Sequence, residues 1–285
     1  MTRIPATALV VVAVVSVQFG GALAVTLLPL VGVAGSVTLR LLVAAVLLMA
    51  VLRPRLRGRS RGDWLVVAGF GACLAAMNLC FYGSLVYLPV GVAVTVEFIG
   101  PLTLAAVLSR RPADLVAVVG AAAGVALISG ALRLDVQALR PAGLALALAA
   151  GGMWAAYILL SARTGARFAG LDGLAVAMCV GTLLVAPFGL LGAGAGLWAP
   201  QALARGAGVA MLSSVVPYSL ELVALRRLAA HVFGILLSLE PAFAALAGWL
   251  VLGQVLNSWQ LTGMALVVLA SLAVSGRRRE PAETG

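Results

Sequence analysis

The amino-acid sequence predicts an all-α polytopic membrane protein whose ten transmembrane helices form two inverted five-helix repeats. Three observations predict this fold class: the composition, the distribution of charge, and an internal similarity between the two halves. Hydrophobic residues make up 63% of the 285 positions, charged residues 10%, and the mean hydropathy is +1.15. Soluble domains are about 45–50% apolar and about 25% charged. The apolar sequence is enough for about ten crossings of roughly 20 residues each, with little left for a soluble domain.

Ten apolar stretches follow one another along the chain. The first is too long and too smoothly continued to be a cleaved signal peptide. Few of the stretches have a polar face, which is typical of helices surrounded by lipid and protein together. The expected spans are 6–28, 33–52, 64–84, 90–108, 114–131, 143–162, 174–191, 207–225, 232–252 and 259–275.

The basic residues predict the orientation of these spans. All nineteen are arginine. With the N-terminus inside, fifteen fall in inner segments, three (Arg133, Arg140 and Arg205) in outer loops, and Arg40 inside a helix. Cytoplasmic loops of membrane proteins carry an excess of basic residues. Both termini are therefore expected in the cytoplasm, in the plasma (inner) membrane of a bacterium.

The net charge of +10 is then mainly a consequence of topology. The most basic stretch, "RPRLRGRSR" (53–61), joins two spans, so it predicts contact with anionic lipid headgroups rather than with nucleic acid. Cys73, Cys80 and Cys179 lie within spans and have no spacing suited to a metal site or a disulfide. We expect membrane lipid and a small-molecule substrate as partners, and no cofactor or metal; the sequence leaves the oligomeric state open.

The two halves of the chain resemble each other at an offset of 143 residues. At this offset Glu97 matches Glu240, Gly91 matches Gly234, and polar Asn78 matches Glu221. The predicted repeats are 6–131 (helices 1–5) and 143–276 (helices 6–10). Because each repeat has an odd number of helices, the second enters the membrane from the opposite side. Inverted repeats are a recurring plan of secondary transporters, whose binding site lies near the midplane. The alternative is a duplication that kept only a structural role.

Polar residues within the apolar spans are the candidate site. A carboxyl group at membrane depth costs roughly 2.5–3.5 kcal/mol or more unless it faces protein or water. Such a carboxyl tends to become neutral, so it can take up a proton on one side and release it on the other, or receive a substrate ammonium. The candidate substrate-binding or proton-coupling residues are Glu97, Glu240, Glu221, Asn78, Tyr82, Trp154, Tyr157, Tyr218, Arg40 and Gln18.

Structural alternatives remain open for these residues. Polar side chains between membrane helices often only hydrogen-bond to a neighbour, and Trp154 and Tyr157 can belong to packing or to an interfacial aromatic belt. Arg40 can pair with one of the glutamates, or it can hold a substrate carboxylate in a bidentate manner.

Three prolines within the spans are candidate hinges: Pro101, Pro217 and Pro241. A proline inside a helix leaves the carbonyl four residues earlier without its donor. Pro101 thus frees the carbonyl of Glu97, and Pro217 that of Ser213, which invites a kink or a bound water.

Several stretches resemble the EamA-type repeats of the drug/metabolite transporter superfamily, and in particular its bacterial threonine/homoserine exporter branch. They are "AMNLCFYGSLVYLPVGVAVTVEFIGPL", "GGMWAAYIL", "VVPYSLELVALRRL" and "FGILLSLEPAFAALAGWLVLGQ". The resemblance implies ten helices, both termini inside, and export of small metabolites. The chain departs from the pattern at Gln254, where an acidic residue is usual, and at Ala229–Ala230, where a proline often follows "RL".

The predicted function is an inner-membrane secondary transporter that exports small metabolites, foremost amino acids similar to threonine or homoserine, by proton-coupled alternating access. The alternatives are export of other metabolites or drugs, or a passive channel. An enzyme is not expected, because the one histidine, His231, lies at a helix end and no metal-ligand cluster or nucleophile motif is present.

Overall fold

The computed structural model describes residues 4–54, 56–88, 90–109, 112–129, 140–240, 242–243 and 257–276, and the regular secondary structure in these ranges is helical. The seventh helix, α7 (Asp172–Ala193), continues into a 3₁₀ turn, Gly194–Trp198. The eighth, α8 (Pro200–Leu225), contains a π-helical turn, Met211–Val215. The helices are α1 (Ala6–Val25), α2 (Leu28–Leu52), α3 (Arg61–Ser84), α4 (Val90–Leu108), α5 (Pro112–Ser129), α6 (Pro141–Arg167), α7 (Asp172–Ala193), α8 (Pro200–Leu225), α9 (Ala230–Leu237) and α10 (Ser258–Gly276).

Five of these helices are long and apolar enough to cross a membrane: α2, α3, α6, α7 together with its 3₁₀ turn, and α8. Shorter apolar stretches lie in α1, α4, α5 and α10. The described part of the chain is therefore the all-helical, multi-pass membrane protein that the composition predicts. Each predicted span overlaps one of the helices, although the ninth, 232–252, continues past α9 into residues that lie outside the described ones.

The start of α2 differs from the prediction. The expected span began at residue 33, whereas the helix begins at Leu28 and is interrupted at Gly32, which has φ 68° and ψ −175°. This backbone conformation is open to glycine because it has no Cβ. A break inside an apolar run leaves no trace in hydropathy, so the pattern could not locate it.

Close helix crossings in the bundle depend on glycine. The α4–α6 crossing brings Gly100 against the backbone of Gly151, and a Cβ atom built on Gly151 would lie 2.5 Å from the carbonyl oxygen of Glu97. Similarly, Gly71 of α3 faces the carbonyl oxygen of Ala177 in α7. Small residues let membrane helices approach until their backbones touch. The van der Waals contact then stabilises the pair, because the hydrophobic effect does not drive helices together within lipid.

At one face of the bundle, contacts join segments that are far apart in the chain. We call the residues that make these contacts the arginine latch (Arg59, Asp63, Arg167, Phe168 and Arg226). Arg59 Nη1 donates to the carbonyl of Arg167 at 3.0 Å, and its guanidinium lies 4.5 Å from the centroid of the Phe168 ring. Arg167 Nη1 contacts Asp63 Oδ1 at 3.3 Å. These contacts join the segment between α2 and α3 to the segment between α6 and α7.

Arg226 supplies the third part of the arginine latch from the end of α8. Its Nε donates to the carbonyl of Gly165 at 2.8 Å, and its Nη2 donates to the carbonyls of Phe168 (2.8 Å) and Gly170 (2.6 Å). Carbonyls at a helix C-terminus have no partner within the helix, so one guanidinium satisfies the end of α6 and the following turn. The loops after α2, α6 and α8 are thereby tied together.

The α4–α6 crossing can be tested with neighbouring glycines. We expect Gly151→Ala to destabilise the folded protein by about 1–3 kcal/mol, because backbone atoms in both helices would have to move to admit a methyl group. A Cβ atom on Gly152 has open space around it, so Gly152→Ala is the matched control. Thermal unfolding in detergent should separate the two variants; equal stability would contradict the close crossing.

Candidate functional site

A cavity of ≈ 390 Å³ lies within the bundle and contains most of the polar residues singled out from the sequence. It is bounded by side chains from α1, α2, α3, α4, α6, α8 and the residues following α9. Nine of the ten candidate residues line it: Gln18, Arg40, Asn78, Tyr82, Glu97, Trp154, Tyr218, Glu221 and Glu240. The tenth, Tyr157, is fully buried behind the cavity wall. Residues from distant parts of the chain thus meet in one space.

The cavity extends away from the arginine latch. Its lining includes Leu28, the first residue of α2, and Leu85, which follows the last residue of α3. Both lie at the ends of their helices opposite the segment 53–60 that the latch fastens. Glu221, near the C-terminal end of α8, forms part of the deeper lining. The cavity therefore reaches from Glu221 towards the face opposite the arginine latch.

Arg40 is the only cation among the lining residues that the structure describes, and it is held by neutral groups. Its Nε donates to Ser214 Oγ at 2.7 Å, its Nη2 donates to the Tyr218 hydroxyl at 2.9 Å and to the carbonyl of Ser213, and its Nη1 lies 3.4 Å from the Tyr82 hydroxyl. The side chain is 7% exposed. These bonds join α2 to α3 and α8 in the middle of the bundle.

Of the two alternatives for Arg40, an ion pair with a glutamate is not found among the described residues. Ion pairs within 4.0 Å there involve Arg167 with Asp63 and His231 with Asp114, both at the latched face. The other hypothesis, that Arg40 binds a substrate carboxylate, stays a prediction. Hydroxyl and carbonyl oxygens instead accept hydrogen bonds from Nε and Nη2 of the guanidinium.

Pro217 explains how α8 can offer a carbonyl to Arg40. The amide of Val216 bonds to the carbonyl of Met211, five residues earlier, so the next amide in this π-helical register would serve Leu212, and in α-helical register Ser213. Residue 217 is proline and has no amide hydrogen. Ser16 Oγ of α1 donates to the Leu212 carbonyl at 2.7 Å, and Arg40 donates to the Ser213 carbonyl. The expected freed carbonyl exists, and the Arg40 side chain donates a hydrogen bond to it.

The remaining candidate hinges are placed differently. Pro101 lies within α4, and the Glu97 carbonyl that it frees packs against Gly151 at the α4–α6 crossing. Pro241 lies outside the described residues.

Glu221 is the carboxyl with a fixed partner. Tyr157 donates to Glu221 Oε2 at 2.6 Å, and both side chains are buried. The Tyr157 ring also packs between Phe70 and Tyr218, with centroid distances of 5.6 and 5.4 Å. Tyr157 is therefore a packed support for Glu221, and an interfacial position is excluded for it.

Glu97 and Glu240 differ from Glu221 in their surroundings. Both line the cavity, and among the described residues no side chain donates a hydrogen bond to either carboxyl. Glu97 is 8% exposed, and Glu240 is partly buried. Carboxyl groups in an apolar bundle are costly unless they reach water or a partner. The cavity is the space through which these two groups can reach one.

The apolar walls of the cavity were not found from the sequence. Phe98 packs edge-to-face on Trp154 with centroids 4.8 Å apart, and Met77, Phe81 and Val94 add further apolar surface. The available signal was that Phe98 directly follows Glu97, but an apolar residue in an apolar helix carries no distinguishing mark. Among the described residues no group of three or more His, Cys, Asp or Glu side chains could hold a metal ion.

Comparison with known proteins gives three concordant results. The model of the EamA-like transporter family matches residues 141–276. The chain is 40% identical over 264 residues to the threonine/homoserine exporter RhtA of Escherichia coli K12, covering 93% of this chain and 89% of that protein. It is 39% identical over 271 residues to the threonine/homoserine exporter RhtA of Salmonella typhimurium LT2, covering 95% and 91%. A crystal structure with 18% identity has a similar fold, with a TM-score of 0.72 over 98% of this chain and 99% of that chain.

The support of Glu221 by Tyr157 can be measured. We expect Tyr157→Phe to destabilise the protein by about 1–3 kcal/mol, because the buried carboxyl loses its donor. Tyr87→Phe, at a tyrosine 40% exposed, is the control. In thermal unfolding, Tyr157→Phe should cost less in a Glu221→Leu background, where residue 221 has no acceptor, than alone; an equal cost in both backgrounds would show that the hydrogen bond does not contribute.

Proposed function

This chain belongs to the EamA-like transporter family, and we propose that it exports small metabolites, foremost amino acids such as threonine or homoserine, by alternating access. The observation that carries this proposal is the cavity itself, which holds one guanidinium and three carboxyl groups inside a multi-pass membrane protein. An amino acid is zwitterionic and needs groups of both signs. The relatives at 40% and 39% identity are named as exporters of two such amino acids. We propose a transport role, not a catalytic one, for the site residues.

The proposed architecture is ten transmembrane helices in two inverted repeats, 6–131 and 143–276. Helix packing supports it. If α1–α5 correspond to α6–α10, then α2 packs on its equivalent α7, α4 on α9, and α5 on α10. Other contacts also occur in equivalent pairs: α3 with α6 and α8 with α1, α3 with α7 and α8 with α2. A twofold axis in the membrane plane produces this pattern, and transporters built this way bind substrate between the repeats.

The proposed orientation has both termini in the cytoplasm of a bacterial cell, in its inner membrane. The segment 53–61 carries five arginines and lies at the latched face, so the positive-inside tendency supports a cytoplasmic latch. The cavity then reaches towards the outside. Export by alternating access requires a second state in which the arginine latch opens and the outer side closes.

Glu97 and Glu240 are proposed to couple transport to protons. They are the two carboxyls that line the cavity without a hydrogen bond from the described residues, and they occupy matching positions in the two repeats. A carboxyl that alternately faces each side of the membrane can carry a proton, and it can release that proton to water when a substrate ammonium arrives and pairs with the carboxylate. Glu221, held by Tyr157, is proposed to have the smaller part.

Transport of radiolabelled L-threonine into inside-out membrane vesicles tests the function directly. An exporter should accumulate the label when a proton gradient, acidic inside, is imposed, and the flux should saturate with concentration. A passive channel would give non-saturating equilibration that ignores the gradient. Failure to move either threonine or homoserine in vesicles that contain the folded protein would refute the proposed substrate class.

Replacement of the glutamates should separate their roles. Gln keeps the shape of Glu but cannot ionise, and loss of a charge-assisted contact costs about 1.5–3 kcal/mol, or roughly ten- to over a hundredfold in affinity or rate. We expect Glu97→Gln and Glu240→Gln to abolish gradient-driven export at normal expression, and Glu221→Gln to weaken it less. Normal transport by all three variants would show that these glutamates are structural.

The orientation is testable with single cysteines in a background without the three native ones. Arg57 and Gln201 are exposed at opposite faces of the bundle. We expect an impermeant maleimide added to spheroplasts to label Gln201→Cys and to miss Arg57→Cys until the membrane is permeabilised. The reverse pattern would overturn the orientation.

Removal of the latch arginine at the end of α8 should loosen the cytoplasmic face. Arg226→Ala leaves the carbonyls of residues 165, 168 and 170 without their donor. We expect backbone hydrogen exchange over 165–170 to accelerate about tenfold, which corresponds to roughly 1.4 kcal/mol. Arg57→Ala, at an exposed arginine in the same face, is the control and should leave exchange there unchanged.

A further inference from the structure

Arg40 occupies a fixed position because its surroundings hold it from one side. Three bonds, from Nε to Ser214 Oγ and from Nη2 to the Ser213 carbonyl and the Tyr218 hydroxyl, restrain the plane of the guanidinium. Its carbon also lies 5.5 Å from the centroid of the Tyr218 ring. The side chain is therefore preorganised rather than free to seek a partner.

The opposite side of this guanidinium has unused donors. Arginine has five N–H groups, and the bond from Nη1 to the Tyr82 hydroxyl is long, at 3.4 Å. No carboxylate of the described residues lies within 4.0 Å of Arg40. Arg40 thus has no carboxylate in direct contact, so an anion that arrived at Nη1 would form the first close ion pair with it.

Two hydroxyl groups add donors at the same place. The hydroxyls of Tyr82 and Tyr218 both accept from Arg40, so each keeps its own hydrogen for another acceptor, and both side chains line the cavity. A planar group with two oxygens matches donors that converge in this way. The same cavity is also lined by Glu97 and Glu240, which would repel an anion and attract a cation.

We propose that Arg40, together with the hydroxyls of Tyr82 and Tyr218, binds the carboxylate of the amino-acid substrate, which leaves its ammonium group towards Glu97 and Glu240. This assignment rests on the proposed function, since it gives the orientation of the amino acid in the same cavity. It also assigns selectivity: Arg40 makes the transporter prefer amino acids to amino alcohols of the same size.

Competition between two ligands, of which only one has a carboxylate, tests the assignment. Inside-out vesicles take up radiolabelled L-threonine in the presence of unlabelled L-threonine or L-threoninol, in which a hydroxymethyl group replaces the carboxylate. For the wild-type chain we expect threoninol to compete at least tenfold less well than threonine. In Arg40→Gln, residual uptake should be inhibited almost equally by the two compounds. Arg57→Gln, at the exposed cytoplasmic arginine, should keep the wild-type preference.

A second variant protects the test against misfolding, because Arg40→Gln leaves several oxygens on α8 and α3 without their donor. Tyr82→Phe removes one proposed donor without changing charge, and we expect it to reduce the preference for threonine severalfold at normal expression. One outcome is that the wild type transports threonine while both Tyr82→Phe and a folded Arg40→Gln keep the full preference for threonine over threoninol. In that case the orientation is wrong, and the proposed function stands. Equal competition by the two compounds in the wild type would also overturn it. Absence of amino-acid transport by the wild type would overturn both proposals.

Discussion

A guanidinium buried in the middle of a membrane helix is the constraint on which the arrangement of this protein depends. Arg40 cannot lose its charge, so its position in α2 requires oxygen atoms from other helices at the same depth. α8 supplies Ser214 and the carbonyl of Ser213, and α3 and α8 supply tyrosine hydroxyls. The carbonyl is available because Pro217 lacks an amide hydrogen and the preceding turn is π-helical. A charge in one helix is thus satisfied by a backbone defect in another.

The same bundle treats its two faces differently. At one face the arginine latch ties three loops together through backbone carbonyls, an aromatic ring and one carboxylate. Towards the other face the helices separate around the cavity. Close crossings such as that of Gly100 and Gly151 hold the helices between these faces through backbone contact. Hydrogen bonds at the surface of a bundle open more readily than such packed crossings, which suits a molecule proposed to open each face in turn.

The three carboxyl groups of the cavity illustrate how packing gives different roles to the same chemical group. Glu221 is bound by Tyr157, which is itself fixed between two aromatic rings. Glu97 and Glu240 line the cavity and accept no side-chain hydrogen bond from the part of the chain that the structure describes. A carboxyl that accepts a hydrogen bond is held in one position, whereas one that faces a cavity is free to exchange a proton or to bind a cation. The proposed division between a supporting and two coupling glutamates follows from these contacts.

The sequence by itself determined which segments are helical in the membrane and which residues belong to the candidate site. Apolar length is a property that each segment carries alone, and a polar side chain in such a segment must face protein or water because lipid does not solvate it. Nine of the ten residues selected on this ground line one cavity. Glu97 was found in this way, because it is the one ionisable residue in the apolar run Val90–Leu108. The break at Gly32 was not, because hydropathy does not depend on backbone angles.

Only the tertiary structure decided which groups these residues bind. Arg40 could equally have paired with a glutamate, and Tyr157 could have lined the cavity instead of standing behind Glu221. These outcomes depend on how each helix is rotated about its axis and on which helix lies beside it. Rotation and neighbourhood are set by contacts such as Gly100 with Gly151 and Ser16 with the Leu212 carbonyl, which join residues far apart in the chain. Hydrogen bonds act over about 3 Å, so the partners are chosen only after the helices have packed.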